Sequence, residues 1–146
     1  MKKQKGQAII EFAIILPLFV LFLFGIIYSG MLFYDYISLS NLARSAAREA
    51  AIVQSLDETK IGNIESYYSE KSSHLLTHLY DPVPETGKTN PVTVKEIAGG
   101  SGEDNSVEVS IKMRRNVSSG LLEIILPEEY TVIYFMRRDE QSGGTT

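Results

Sequence analysis

The pairing in this sequence with the most chemistry in it is a glycine followed five residues later by a carboxylate at the edge of an apolar run: Gly6, then Gln7, then Glu11. Glycine leaves the backbone beside it flexible and accessible. A carboxylate carried to the centre of a bilayer costs about 2.5–3.5 kcal/mol on insertion scales, so Glu11 needs compensation. It finds some in the headgroup layer near a helix N-terminus, and it could find more in a neighbouring cation. Other candidates are weaker. His74 and His78 stand four residues apart and could hold a metal on one helix face, but no third ligand follows at a recognisable spacing, so no metal is expected. Gly102-Glu103-Asp104-Asn105 offers hard oxygen ligands for calcium and reads equally well as a turn. Arg44 and Arg48, one helical turn apart, could reach anionic headgroups or partner carboxylates, with a solvated face as the default. No nucleophile–base pair, phosphate-cradling glycine loop or paired-acid constellation stands out, so no enzyme, cofactor or small-molecule substrate is expected.

These residues depend on the elements that carry them. From Phe12 to Tyr34 there are 23 consecutive residues without a formal charge. At 1.5 Å per residue they reach about 35 Å, enough for a hydrocarbon core of about 30 Å. Leu18 to Ile27 is apolar on every side of a helix, unlike the striped helix of a soluble core. The run is also too long for a secretory h-region, and no small-x-small cleavage site follows it. Lys2, Lys3 and Lys5 precede the span while Asp35 follows it, so the positive-inside rule puts Met1 in the cytoplasm and residues 35–146 outside. Tyr28, Phe33, Tyr34 and Tyr36 suit the outer headgroup level. Pro17 removes one helical hydrogen bond, which a membrane helix tolerates, and Gly25, Ser29 and Gly30 could form a small-residue packing face.

Beyond the span, Leu39, Leu42, Ala43, Ala46, Ala50 and Val53 recur at spacings of 3 or 4. One continuous helix over about residues 7–54 is therefore expected, its outer half packed on its own domain. Ile61, Ile64, Tyr68, Leu75, Leu76 and Leu79 predict a second, amphipathic helix over 61–80. Three prolines and a glycine break regular structure over 81–91. Val92 and Val94 start a short strand, Gly99 to Gly102 makes a turn, and alternating Val107, Val109, Ile111 and Met113 form the return arm of a hairpin. Leu121 to Leu126 is a short apolar segment, and Tyr130 to Met136 reads as a third strand, apolar on both faces and so central or well covered. Residues 141–146 read as a disordered tail. The composition agrees with this plan. A chain of 146 residues leaves room for one small domain, a net charge of −4 excludes a large basic footprint for nucleic acid, and the lack of cysteine excludes disulfides and thiolate sites.

The string Lys5-Gly6-Gln7-Ala8-Ile9-Ile10-Glu11-Phe12-Ala13-Ile14-Ile15-Leu16-Pro17 resembles the start of TadE-like proteins, minor pseudopilins of the tight-adherence (Flp, type IVc) pilus. The resemblance continues through Gly25 into Asn41-Leu42-Ala43-Arg44-Ser45-Ala46-Ala47-Arg48-Glu49-Ala50, and loosely at Met136 to Glu140. It implies a pilin-like α+β fold: a long amino-terminal transmembrane helix continuing into a small extracytoplasmic domain with a short antiparallel sheet. The segments would be a basic cytoplasmic leader over 1–6, a membrane helix over 7–34, its continuation over 35–55, and an α+β domain over 56–140. The resemblance further implies cleavage between Gly6 and Gln7 by a prepilin peptidase, which takes the formal charge from −4 to −7 by removing three lysines. Glu11, Phe12 and Pro17 would then serve subunit assembly, with Glu11 offsetting a new α-amino charge either on a neighbour or on its own chain. The partners implied are membrane lipid, the peptidase, other pilins or pseudopilins and the pilus assembly platform. The alternative is an uncleaved single-pass anchor displaying an outer binding or sensing domain. A pseudopilin of a secretion or DNA-uptake machine fits less well, because Ile10 stands where those proteins usually keep Thr.

Overall fold

The computed structural model describes residues 2–53, 56–77, 79–98, 105–116, 120, 123 and 126–138. The chain is α+β, with helices α1 (Lys2–Ile52) and α2 (Glu58–Leu75) followed by strands β1 (Tyr80–Pro82), β2 (Val92–Ile97), β3 (Ser106–Arg115) and β4 (Glu129–Arg137). It divides into two compact units, Met1–Tyr34 and Asp35–Thr146.

In the first unit the helix starts at Lys2, five residues before the expected 7. Lys and Gln are good helix formers, and extending an existing helix across Gly6 costs only about 1 kcal/mol. Pro17 sits inside α1 without ending it. Side chains from Ile9 to Ile27 are exposed throughout, Phe12 at 64% among them.

The second unit contains the core. On α1, Leu39, Leu42, Ala43, Ala46, Ala47 and Ala50 are all buried, which matches the spacing of 3 and 4 expected for a helix face laid on its own domain. Ile64 and Tyr68 of α2 join them. Asp57 begins α2 in extended geometry, and its carbonyl accepts the Ile61 amide at 3.0 Å. The helix ends at Leu75 rather than 80, because Leu76 turns to ψ 153 and the chain then enters β1. A three-residue strand containing Pro82 has too little alternation to be legible, and the expectation of no regular structure from 81 was wrong for that reason.

All strand pairings are antiparallel, and β3 is the centre. It pairs with β4 over its whole length on one edge, and on the other with β2 (Ile97↔Ser106 to Val92↔Ile111) and then β1 (Pro82↔Met113 to Tyr80↔Arg115). The β2–β3 pairing is the expected hairpin; Gly99 to Asp104, with the acidic loop, lies outside the described residues. So do His78, most of the apolar segment 121–126 and the tail 141–146. Val107, Val109, Ile111 and Met113 of β3 are fully buried with Val92 and Val94 beside them, forming the inner face.

The expectation for β4 needs correction. Among the described residues it pairs only with β3, so it is an edge strand. Its inner-face Val132 is buried, but Ile133 and Phe135 on the other face are 50% and 59% exposed. Apolarity on both faces did not mean coverage on both.

Candidate membrane-anchoring and assembly site

Gly6, Gln7, Glu11, Phe12 and Pro17 lie on one continuous helix, in which Pro17 forfeits one backbone hydrogen bond without ending the helix. Gln7 and Glu11 are one turn apart and both exposed, as are Phe12 and Pro17. The structure thus brings Gln7 and Glu11 to one side of the helix. Among the described residues no ion pair with Glu11 is formed. A Cβ placed on Gly25 or Gly30 meets nothing within 4 Å, so this chain's own packing does not require either glycine.

The outer unit holds α1 by polar contacts that sequence reading missed. Asp35, expected only to mark the outer end of the span, is fully buried. Its Oδ1 accepts the Thr77 amide at 3.0 Å and its Oδ2 the Thr77 hydroxyl at 2.7 Å. Thr77 is reached only because α2 ends where it does. Forty-two residues separate the pair, so no local pattern could reveal it. Tyr130 lies close enough that, after burial, the Asp35 charge is the next largest influence pushing its hydroxyl to a higher pKa. The Tyr80 ring packs edge-on against Tyr130 with centroids 4.8 Å apart, and the Tyr80 hydroxyl donates to the Pro127 carbonyl at 2.8 Å.

Further along α1, the Tyr68 hydroxyl donates to Glu49 Oε2 at 2.9 Å. Burial, then that hydrogen bond and the Glu49 charge, push the Tyr68 hydroxyl up to about 12. Arg44 is exposed, as expected of a solvated face, and its guanidinium also stands over the Tyr134 ring at 5.4 Å. Arg138 binds Glu96 and donates through Nη2 to the carbonyl of Val53, the residue just after α1, at 2.7 Å. Of the two histidines, His74 is exposed near the end of α2.

The window Ile9–Ile52 contains a helix long and apolar enough to cross a membrane, with its most apolar stretch unburied. The class that fold and site define is therefore a membrane-anchored protein, an apolar helix joined to a small α+β unit. Compared with known families, residues 6–48 match the family model of TadE-like proteins, the family that Gly6 to Pro17 and Asn41 to Ala50 resemble. No curated protein and no solved structure matches the chain. The match covers Gly6, Glu11, Pro17 and Asp35, and ends before α2 and the sheet.

Proposed function

We propose that this protein is a minor pilin or pseudopilin subunit that takes part in assembling or initiating a Tad/Flp-type surface pilus, and through it in adherence. The observation that carries this is the family match over residues 6–48, which spans the whole constellation of Gly6, Gln7, Glu11, Phe12 and Pro17. In this reading residues 1–6 are a cytoplasmic leader, 7–34 cross the membrane once, and 35–140 lie outside. A prepilin peptidase cuts after Gly6. Because α1 is helical across Gly6 and Gln7, cleavage requires local unwinding, which a glycine eases by about 1 kcal/mol relative to alanine. Cleavage gives Gln7 an α-amino group one turn from Glu11, and an exposed Glu11 can offset that charge on its own chain or on a neighbour. Exposed Phe12 and the apolar helix beyond supply the surface on which other pilins pack.

The test is the mass of the amino-terminal peptide from membrane fractions, with and without co-expressed prepilin peptidase. A chain that starts at Gln7 only when the peptidase is present supports the proposal. A chain that keeps Lys5-Gly6 in both cases turns the protein into an uncleaved anchor. Glu11→Ala is expected to leave insertion intact and to reduce pilus assembly strongly, as counted by electron microscopy. Normal piliation in that variant would remove the assembly role from Glu11.

A further inference from the structure

The outer unit has two ends of different chemistry. At one end Asp35 of α1 accepts from Thr77, and the Asn116 amide donates to the Leu79 carbonyl at 3.0 Å. The Tyr80 hydroxyl donates to the Pro127 carbonyl there, and Arg115 Nη1 to the carbonyls of Glu123 and Leu126 at 2.8 and 2.7 Å. These bonds gather the start of the outer stretch of α1, the chain leaving α2, the last residue of β3 and the residues leading into β4. At the other end Arg138 bonds to Glu96 and to the Val53 carbonyl, and its amide donates to Asn105. Along β3, from Ser106 to Arg115, the two ends are about 30 Å apart at 3.4 Å per residue. Along α1, from Asp35 to Ile52, the separation is about 25 Å at 1.5 Å per residue.

What the ends show to solvent differs. Beside Asp35, Tyr36 and Ile37 are 51% and 45% exposed, and Pro127 is exposed with Leu126 half-buried before it. The stretch 121–126 that leads to Pro127 reads Leu-Leu-Glu-Ile-Ile-Leu in sequence, of which Glu123 and Leu126 are among the described residues. The connection 98–105 at the far end reads Ala-Gly-Gly-Ser-Gly-Glu-Asp-Asn, without one large apolar residue. Which end lies by a bilayer is fixed by the chain itself. Asp35 directly follows Tyr34, the last residue of the uncharged run and of the amino-terminal unit. One peptide bond keeps the Asp35 end beside the outer surface of the bilayer at any angle between the two units.

We infer that the Asp35 end of the outer unit is a lipid-contacting surface, with Tyr36, Ile37, Leu126 and Pro127 seated in the headgroup layer of the outer leaflet. Aromatic and apolar side chains partition into that layer. The exposed carboxylates Glu123 and Glu128 at the same end offer no attraction to anionic lipid, so the contact is apolar and indifferent to salt. The inference rests on α1 crossing the membrane and not on the pilus assignment.

The chain has no natural cysteine, so single cysteines report position. Full-length Pro127→Cys, Ile97→Cys and Leu21→Cys, all at exposed positions, are labelled with a nitrobenzoxadiazole fluorophore. Each goes into phosphatidylcholine nanodiscs that carry a nitroxide on the headgroup or midway along the acyl chain. The headgroup nitroxide should quench the label at 127 about threefold or more beyond that at 97, because the two stand at ends about 30 Å apart. Aqueous iodide should quench the label at 127 less than the one at 97. Raising the salt to about 1 M should leave the lipid quenching at 127 unchanged. The label at 21 should respond to the acyl-chain nitroxide. Slow amide exchange at Val107 and Val109, both fully buried, reports that the outer unit stays folded in each variant. Equal headgroup quenching at 127 and 97, full iodide access at 127, or loss of quenching in high salt overturns the inference while quenching at 21 upholds the span. Absence of acyl-chain quenching at 21 removes the span itself, and the inference with it.

Discussion

The two halves of α1 share one backbone and obey different rules. In the membrane half, Ile14, Leu18, Phe19 and Phe22 are each at least 60% exposed and touch no core of their own. In the outer half, Leu39, Ala43, Ala46, Ala47 and Ala50 are at most 1% exposed. The first half is apolar all round and large; the second is striped and small, with Asn41, Arg44, Ser45 and Arg48 on its exposed side. The contrast teaches that hydrophobicity alone does not define a core. Lipid or other subunits take the place of a core for an all-round apolar helix, whereas small residues in a stripe let a sheet approach closely.

Leu39→Ala gives the widest separation of the two halves. It should destabilise the outer unit by about 2–5 kcal/mol through lost contacts and an unfilled cavity, whereas Phe19→Ala should leave the unit's unfolding midpoint unchanged. Denaturant titration of the full chain in micelles, followed by tyrosine fluorescence, checks both; equal effects would mean the halves do not differ as described. Asp35→Ala should cost somewhat less, about 1–3 kcal/mol, by leaving the Thr77 amide and hydroxyl without an acceptor. Asp35→Asn should recover part of that loss, because one amide oxygen can still accept. Faster exchange at the Thr77 amide in the Ala variant is the accompanying sign.

The dependence on pH in the alkaline range is smaller. The folded state holds the Tyr68 hydroxyl at about 12 against 10.0 for the free side chain, so the native state keeps a proton that the unfolded chain releases. The associated stability is complete below pH 10 and is lost as pH rises from 10 towards 12. Tyr68→Phe should flatten the fall in stability over that window while leaving the neutral-pH curve shape unchanged. Smallest of all, Gly25→Ala should alter the stability of the isolated chain by no more than about 0.5 kcal/mol, since its added methyl meets nothing. A defect seen only in assembled pili would then locate a helix partner at Gly25.

Much of the fold was legible because it is written locally. The all-apolar run from Leu18 to Ile27, the stripe from Leu39 to Ala50 and the alternation from Val107 to Met113 each carry their own period, and each became the element expected. The candidate assembly residues were legible in a different sense: Gly6, Glu11 and Pro17 stand out as exceptions inside a run that has few. The misses are positions where distant chain decides the outcome. Thr77 ends the α2 region by bonding to Asp35, and Tyr80 becomes a strand because Arg115 is there to pair with it. The same holds for β4. Tyr130 to Met136 looks like a central strand by composition, but centrality is a property of neighbours, and the hairpin with β2 had already made β3 the centre.

The sequence by itself determined that this chain has an apolar helix long enough for a bilayer, a small-residue stripe beyond it and a few antiparallel strands, because periodicity and charge distribution act within a turn or a strand pair. Only the tertiary structure decided that Asp35 is a buried acceptor, that α2 seals the β2 edge through Glu65 and Ser69, and that β4 pairs only with β3 among the described residues. Each of those depends on groups tens of residues apart meeting within about 3 Å, the range at which a hydrogen bond forms. No local pattern specifies which groups will meet.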